Sequence, residues 1–133
     1  MSSVDMTARC SYISIAGRDD APIFTLAGTA SEWLFASGFW RQTNALLGTM
    51  FDQFEEDEAV PAQLRQIAYE LEQRICMLEA QSDEVVHFVY RWTPSGEACA
   101  LEAKRADLVS QLTAMRNILA SAAANGDTLM LSL

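Results

Sequence analysis

The sequence predicts an α+β domain, with a small, mostly antiparallel sheet of about four strands and three helices packed against it. Short alternating apolar runs near both ends and at residues 85–92 predict strands, and the longer apolar stripes between them have helical spacing. The chain has 133 residues, and 50% of them are hydrophobic, which is enough for one core. We assign 1–9 to a flexible tail and 10–133 to a single domain of order β-β-α-α-β-α-β.

A β-hairpin is predicted directly after the tail. Residues 11–16 alternate, with Ile13 and Ile15 on one face, and 23–27 form a second β-prone run. Gly17-Arg18-Asp19-Asp20 between them has the composition of a turn.

The first predicted helix begins at Thr29-Ala30-Ser31-Glu32, which fits a capping box. Gly38 and Gly48 mark positions where this helix can kink or break. Its apolar stripe is a seven-residue repeat of Trp33, Trp40, Leu47 and Phe54. Trp33, Phe39 and Trp40 could line a ligand pocket, but aromatic residues at helical spacing more commonly belong to the core.

The second half of the chain alternates between helices and strands. Pro61 suits the first turn of a helix, whose apolar stripe is Leu64, Ile67, Leu71, Ile75 and Leu78. Residues 85–92 have two largely apolar faces, which is typical of a central strand. A third helix, with its stripe starting at Leu101, ends at Asn125-Gly126, and residues 128–133 close the domain as a strand.

Composition excludes several classes of function. The net charge of −9 disfavours direct binding to nucleic acid or to an anionic membrane, since both require clustered Lys and Arg. No apolar run approaches the roughly twenty residues of a membrane span. The polar start, Met1 to Arg9, lacks the pattern of a secretory signal, so we expect a cytoplasmic protein.

Motifs for catalysis or metal binding are missing from the sequence. Cys10, Cys76 and Cys99 form no CxxC pair and are expected to be buried free thiols. His87, the one histidine, is either a general base near a carboxylate or a partly buried strand residue bonded to a neighbour. No phosphate loop, nucleophile elbow or EF-hand occurs. We therefore expect no enzyme activity, no cofactor and no metal.

Negative charge is concentrated between Asp52 and Glu84. This stretch contains ten carboxylates and two arginines, which give it a net charge of −8. This stretch is either a docking surface for a basic partner or a solvated face that maintains solubility. Glu55 to Glu58 would oppose the dipole of a first helix that reached Phe54, unless the helix ends earlier in a loop. The predicted partner-binding residues are Asp52, Glu55, Glu56, Asp57, Glu58, Glu72, Glu79, Asp83, Glu84, Tyr90 and Trp92.

These features together favour a non-enzymatic, acidic protein-binding module. Its most concrete form is an inhibitor or immunity-type protein that covers a basic surface or active site of a partner, such as a toxin or a nucleic-acid-binding enzyme. One alternative is an assembly or adaptor subunit, or a homodimer, that uses the apolar faces of the first helix and Leu129–Leu133. Another is a small ligand-binding protein or enzyme that uses His87 and Arg91.

Overall fold

A computed structural model of the protein describes residues 8–18 and 21–133. Within these residues it confirms the α+β class, with a four-stranded antiparallel sheet, a two-stranded sheet and four helices. The elements are β1 (Ser11–Ile15), β2 (Phe24–Leu26), α1 (Gly28–Ala36), α2 (Phe39–Leu47), β3 (Glu56–Ala59), α3 (Pro61–Glu79), β4 (Val85–Trp92), β5 (Ala98–Lys104), α4 (Arg105–Ala124) and β6 (Leu129–Ser132).

The four-stranded sheet has the order β2-β1-β6-β3. The predicted hairpin is confirmed, since Ile13 of β1 lies opposite Phe24 of β2, although the turn at 17–20 falls partly outside the described residues. The predicted closing strand is also confirmed and lies inside the sheet, between β1 and β3. Leu129 and Leu131 are fully buried on its core face, which makes β6 the apolar centre of the sheet.

The two long helices, α3 and α4, pack against each other; α3 follows the sequence prediction closely, and α4 follows it from Arg105 onwards. Pro61 is the first residue of α3, and the Gln63 side chain accepts a hydrogen bond of 3.0 Å from the Val60 backbone N–H. Helix α4 ends at Ala124, and Gly126 has the left-handed φ of 76° expected of a helix stop. No helix in the described part of the chain is both long and apolar enough to cross a membrane.

The first predicted helix is two helices, separated at one of the two glycines that the sequence marked. Gly38 has a φ of 80°, which an L side chain adopts only with strain. Helix α2 ends at Leu47, and Gly48 directly after it has a φ of 68°.

The predicted capping box at the start of the first helix is wrong. Helix α1 begins at Gly28, and its Ala27 N-cap makes no side-chain cap bond. The backbone at Gly28 passes close to Ala8, so the Cβ atom of any other residue at position 28 would lie only 2.8 Å from the Ala8 carbonyl oxygen.

The prediction that residues 85–92 form a central strand is wrong. Strand β4 pairs only with β5 among the described residues, and β5 occupies residues that were assigned to the third helix. Val86 and Phe88 pack against the core, whereas Val85 and Val89 remain 37% and 40% exposed. The hairpin therefore covers α1 with one face and leaves the other open.

The aromatic residues of the first helices belong to the core, as the spacing indicated. Trp40 is 2% exposed, and its ring contacts Phe39 edge-on at a centroid distance of 5.1 Å. Trp33 is 5% exposed, and Leu131 and Leu133 are equally inaccessible. The C-terminal strand and most of the apolar face of the first predicted helix are thus buried within the fold, whereas Leu46, Met50 and Phe54 remain exposed.

An arginine connects α3 to the break between α1 and α2. Arg74 donates from Nη1 to the Ser37 carbonyl oxygen at 3.2 Å and from Nη2 to Gln42 Oε1 at 2.8 Å. Burial lowers the pKa of the Arg74 guanidinium, and the negative charge of Glu70 acts in the opposite direction. A cation at the carbonyl end of α1 also complements the helix dipole.

The cysteines are free, as expected, but they are not buried. Cys76 is exposed on α3, and Cys10 and Cys99 are half-buried. Cys76 lies beside the apolar stripe of its helix, on the face that turns towards solvent.

Thr43 provides a stability prediction for this fold. It is 1% exposed on α2, and its hydroxyl has no hydrogen-bond partner among the described residues. Because valine has the same shape without the hydroxyl, we expect Thr43→Val to raise the free energy of unfolding by about 1 kcal/mol. Thermal unfolding should shift upwards by about 3–5 °C.

Thr113→Val on the half-buried face of α4 is the matched control, and we expect it to change stability by less than about 0.5 kcal/mol. A Thr43→Val protein that unfolds at or below the temperature of the unmodified chain would contradict the prediction.

Candidate functional site

The acidic residues 56–58 lie on an edge strand of the main sheet. Asp57 is opposite Leu131 and Ala59 is opposite Leu129 in the pairing of β3 with β6. Ala59 is fully buried, and Glu56, Asp57 and Glu58 are exposed. Since β3 is the last strand on its side of the sheet, its outer edge has no strand neighbour among the described residues.

The sequence placed the acidic residues 55–58 either at the end of the first helix or in a loop after a helix that ends earlier. The helix does end earlier, at Leu47, and Glu55 lies in a loop, but Glu56, Asp57 and Glu58 belong to a strand that neither alternative included. Asp and Glu are depleted in strands, so no local signal marks β3. The strand forms because β6 is apolar and buried and takes a neighbour on each side, and because Ala59 fills a core position.

An exposed aromatic residue directly precedes this strand. Phe54 is 62% exposed and has a φ of 67°, a left-handed conformation that costs a non-glycine residue about 1–2 kcal/mol. The guanidinium carbons of Arg9 and Arg91 lie 4.9 Å and 5.6 Å from its ring centroid, within cation–π range. We call Phe54 and the exposed carboxylates Glu55, Glu56, Asp57 and Glu58 the acidic edge.

The buried carboxylate of Glu32 fixes the segments next to the acidic edge. Glu32 on α1 is 1% exposed. Its Oε2 accepts hydrogen bonds from Arg91 Nη2 at 2.6 Å and from the Arg9 backbone N–H at 2.9 Å. Its Oε1 accepts one from Gln53 Nε2 at 2.8 Å. Glu32 thereby joins the N-terminal segment, β4 and the turn before β3 at one point.

Arg9 belongs to this arrangement, although the sequence placed it in a flexible tail. Its Nε donates to the Leu133 carbonyl oxygen at 3.0 Å, while the Leu133 N–H donates to the Glu55 carbonyl oxygen at 3.1 Å. Residues 1–7 of the assigned tail lie outside the described residues. Arg9 and Arg91 are both fixed by hydrogen bonds, and both guanidinium groups lie over the Phe54 ring. The ring stays accessible, and this is the geometry of a preorganised contact residue.

The other predicted partner-binding residues do not join the acidic edge in one surface. Helix α3 has 19 residues and a length of about 28 Å at 1.5 Å per residue, so Glu79, Asp83 and Glu84 lie at its far end. Glu72 forms an ion pair with Arg116 of α4. Asp52 is next to the acidic edge, where its side chain accepts the Gln53 N–H at 2.8 Å.

The two aromatic residues of β4 differ in accessibility. Trp92 is 68% exposed on the open face of the hairpin. Tyr90 is half-buried, and its ring centroid is 5.3 Å from the Arg91 guanidinium carbon. Trp92 therefore belongs to a different surface from the acidic edge.

His87 lies on the open face of the hairpin. Its Nδ1 is 3.3 Å from Glu102 Oε1 on β5, and both side chains are about two-thirds exposed, at 66% and 70%. The sequence expectation of a bonded neighbour is met, whereas partial burial is not. Among the described residues, no three His, Cys, Asp or Glu side chains are grouped so that they could hold a metal ion.

A cavity near these groups lies between the first turns of α1 and α4 and the end of β5. It has a volume of about 470 Å³ and is lined by polar and charged groups that include Glu102, Lys104 and Asp107.

Comparisons of the chain with protein-family models, with curated proteins and with solved structures gave no match.

The Glu32 cluster yields a prediction about stability. Glu32→Gln preserves the shape of the side chain and removes its charge, which leaves Arg91 without a carboxylate at a site where its side chain is only 20% exposed. We expect a loss of about 3–5 kcal/mol, measured by urea unfolding. In the double variant Glu32→Gln/Arg91→Met, the loss should be smaller than the sum of the two single losses.

Glu102→Gln is the control, since it removes the carboxylate of an exposed pair and should change stability by less than about 1 kcal/mol. Strictly additive losses in the double variant would show that Glu32 and Arg91 do not act as a pair.

Proposed function

We propose that the protein is a non-enzymatic, cytoplasmic protein-binding module of the inhibitor or immunity type, and that its acidic edge receives a basic, extended segment of a partner protein. The observation that carries this proposal is the open edge of β3, where consecutive exposed carboxylates follow a preorganised, exposed Phe54.

The backbone of an edge strand supplies the first component of binding. A sheet edge without a neighbouring strand presents N–H and C=O groups that an extended segment can pair with, as in other cases of strand addition. Paired residues share a face of the sheet, so Glu56 and Glu58 lie on the face of Ser132 and Met130, away from the core. Asp57 lies on the opposite face, so carboxylates are available to alternate basic side chains of an added strand.

Charge supplies the second component. The acidic edge contributes four carboxylates to a chain of net charge −9. A basic partner gains association rate from such a field, and the gain decreases when salt screens exposed charges beyond about 10 Å at 0.1 M.

Phe54 supplies the third component. An aromatic ring held by its surroundings loses little conformational freedom on binding, which is why such residues dominate many interfaces. Of the two cations over the ring, Arg91 is 20% exposed and paired with Glu32, and Arg9 is half-buried and donates to the Leu133 carbonyl oxygen. The four exposed carboxylates of the acidic edge outnumber these two cations.

The proposal predicts that binding depends on the position of the acidic edge as well as on net charge. The probe is a fluorescent peptide of alternating Lys and Thr, measured by anisotropy at low and high salt. Reversing Glu56, Asp57 and Glu58 to Lys should weaken binding more than about tenfold, equivalent to 1.4 kcal/mol. Phe54→Ala should also weaken it, since the aromatic contact is lost.

The matched control reverses Glu79, Asp83 and Glu84 to Lys, which changes net charge equally at the far end of α3. A second control is a peptide with proline at alternate positions, which retains charge but cannot pair as a strand. Equal weakening by both triple reversals would refute a specific site. Unchanged binding with new aggregation after the first reversal would show that the carboxylates only protect an exposed edge.

A further inference from the structure

The pairing of β3 with β6 divides the backbone groups of β3 between its two sides. The Leu133 N–H donates to the Glu55 carbonyl oxygen at 3.1 Å, in continuation of the β3–β6 register. In an antiparallel pair, a residue directs its N–H and its C=O to the same side, and successive residues alternate. Glu55 and Asp57 therefore direct their backbone groups to β6, whereas Glu56 and Glu58 direct theirs to the open side.

The open side of β3 is short, because both of its ends are closed. At the α3 end, the Val60 N–H already donates to Gln63 Oε1 at 3.0 Å. At the other end, the chain leaves the extended conformation at Phe54, whose φ is 67°. The groups available to an added strand are thus the N–H and the C=O of Glu56 and of Glu58.

The side chains of these two residues lie on one face of the sheet. Glu56 is opposite Ser132 and Glu58 is opposite Met130, and opposite residues of an antiparallel pair share a face. This is the outer face, where Tyr12 beside Ser132 is 41% exposed. In antiparallel addition, a residue that bonds to the Glu56 or Glu58 backbone therefore places its side chain beside that carboxylate, with Cβ atoms about 5 Å apart.

Antiparallel addition suits this short edge better than parallel addition. An antiparallel segment reaches all the available groups with two residues that are spaced two apart, so three residues are sufficient. A parallel segment needs five residues for the same bonds and must extend from Glu55 to Ala59, up to both closed ends. Parallel pairing is also slightly less stable per residue.

Charge determines which segment can add. The β3 strand of a second copy would place carboxylates against carboxylates on the outer face, and like charges directly opposite each other are destabilising. Among the described residues, no ion pair involves Glu56 or Glu58. The nearby cations Arg9 and Arg91 lie over the Phe54 ring, at one end of the edge. The two outer-face carboxylates are therefore complementary to a basic segment.

We infer that the acidic edge binds an antiparallel segment of the pattern basic-x-basic. The two basic residues pair with the backbone of Glu56 and Glu58, and their side chains lie beside the same two carboxylates. The middle residue lies opposite Asp57 and directs its own N–H away from β3. Lysine and arginine both satisfy the pattern. This inference rests on the proposed function, to which it adds the orientation, the register and the spacing of the positive charges.

Methylation of peptide amides tests the register. The probe is the labelled peptide Thr-Lys-Thr-Lys-Thr with blocked ends, and its binding to the full chain is measured by fluorescence anisotropy. N-methylation of both lysines removes the two N–H groups that bond to β3 and should weaken binding at least about tenfold. N-methylation of the central threonine removes an N–H that points away and should change the affinity less than about twofold.

A peptide isomer tests the spacing of the charges. Thr-Lys-Lys-Thr-Thr has the same composition and charge, but its two lysines lie on opposite faces of an extended segment. We expect it to bind at least about threefold more weakly than the alternating peptide.

Two matched variants test the side chains of the protein. Glu56→Gln/Glu58→Gln removes the outer-face carboxylates and should weaken binding of the alternating peptide at least about tenfold. Glu55→Gln/Asp57→Asn removes the same charge from the opposite face and should weaken it no more than about threefold. Circular dichroism confirms that both variants are folded.

Amide hydrogen exchange measures the same alternation in the unmodified chain. The Asp57 N–H bonds to β6 and should be protected without peptide. The Glu56 and Glu58 N–H groups should exchange freely without peptide and become protected when the alternating peptide saturates the protein.

Several outcomes would overturn the inference and leave the proposed function standing. Loss of binding on methylation of the central threonine, with the methylated lysines tolerated, would indicate a parallel or shifted segment. Equal effects of the two methylations would show that no fixed register exists. Equal losses in the two double variants would show that the basic side chains do not lie on the outer face.

Other outcomes would remove the proposed function as well. If the unmodified peptide does not bind, or binds equally after reversal of the acidic edge, the proposed function and this inference both fail. Light scattering should give 14.7 kDa for the free chain. A doubled mass that the peptide returns to 14.7 kDa would show that a second copy occupies the edge, which would also overturn the inference.

Discussion

The carboxylate of Glu32 is the group on which the arrangement of the site depends. It is buried, and it accepts hydrogen bonds from residues 23, 21 and 59 positions away in the chain. A buried charge is costly to desolvate, and three donors compensate for that cost only if each segment is in place. The same carboxylate therefore fixes the N-terminal segment through Arg9, the turn before β3 through Gln53 and the hairpin through Arg91.

The edge strand β3 is a consequence of the buried β6. An apolar strand in the middle of an antiparallel sheet needs neighbours on both sides, and the chain supplies a segment of carboxylates for one of them. Acidic side chains weaken the intrinsic tendency to form a strand but suit an edge, where like charges discourage association between identical sheets. In the function we propose, the same carboxylates attract a basic strand, because they repel a second acidic strand and are complementary to positive charge.

Charge divides the surface into two parts with different chemistry. The acidic edge combines open backbone, carboxylates and a fixed aromatic ring, the features from which we propose basic, extended partners. The open face of the β4–β5 hairpin instead exposes Val85, Val89 and Trp92 beside the His87–Glu102 pair. Helix α3, about 28 Å long, separates the carboxylates at its two ends, so the acidic stretch of the sequence is not one continuous surface.

Local patterns in the sequence determined the class of the fold, the β1–β2 hairpin, the stripes of α3 and α4, the glycine break, and the burial of Trp33 and Trp40. Each of these depends on residues within a few turns or strand positions of one another. The strand at residues 56–59, the pairing of β4 with β5 and the role of Glu32 were decided by tertiary structure alone. Strand pairing and a buried ion pair depend on partners distant in the sequence, and no local periodicity records which partners will meet.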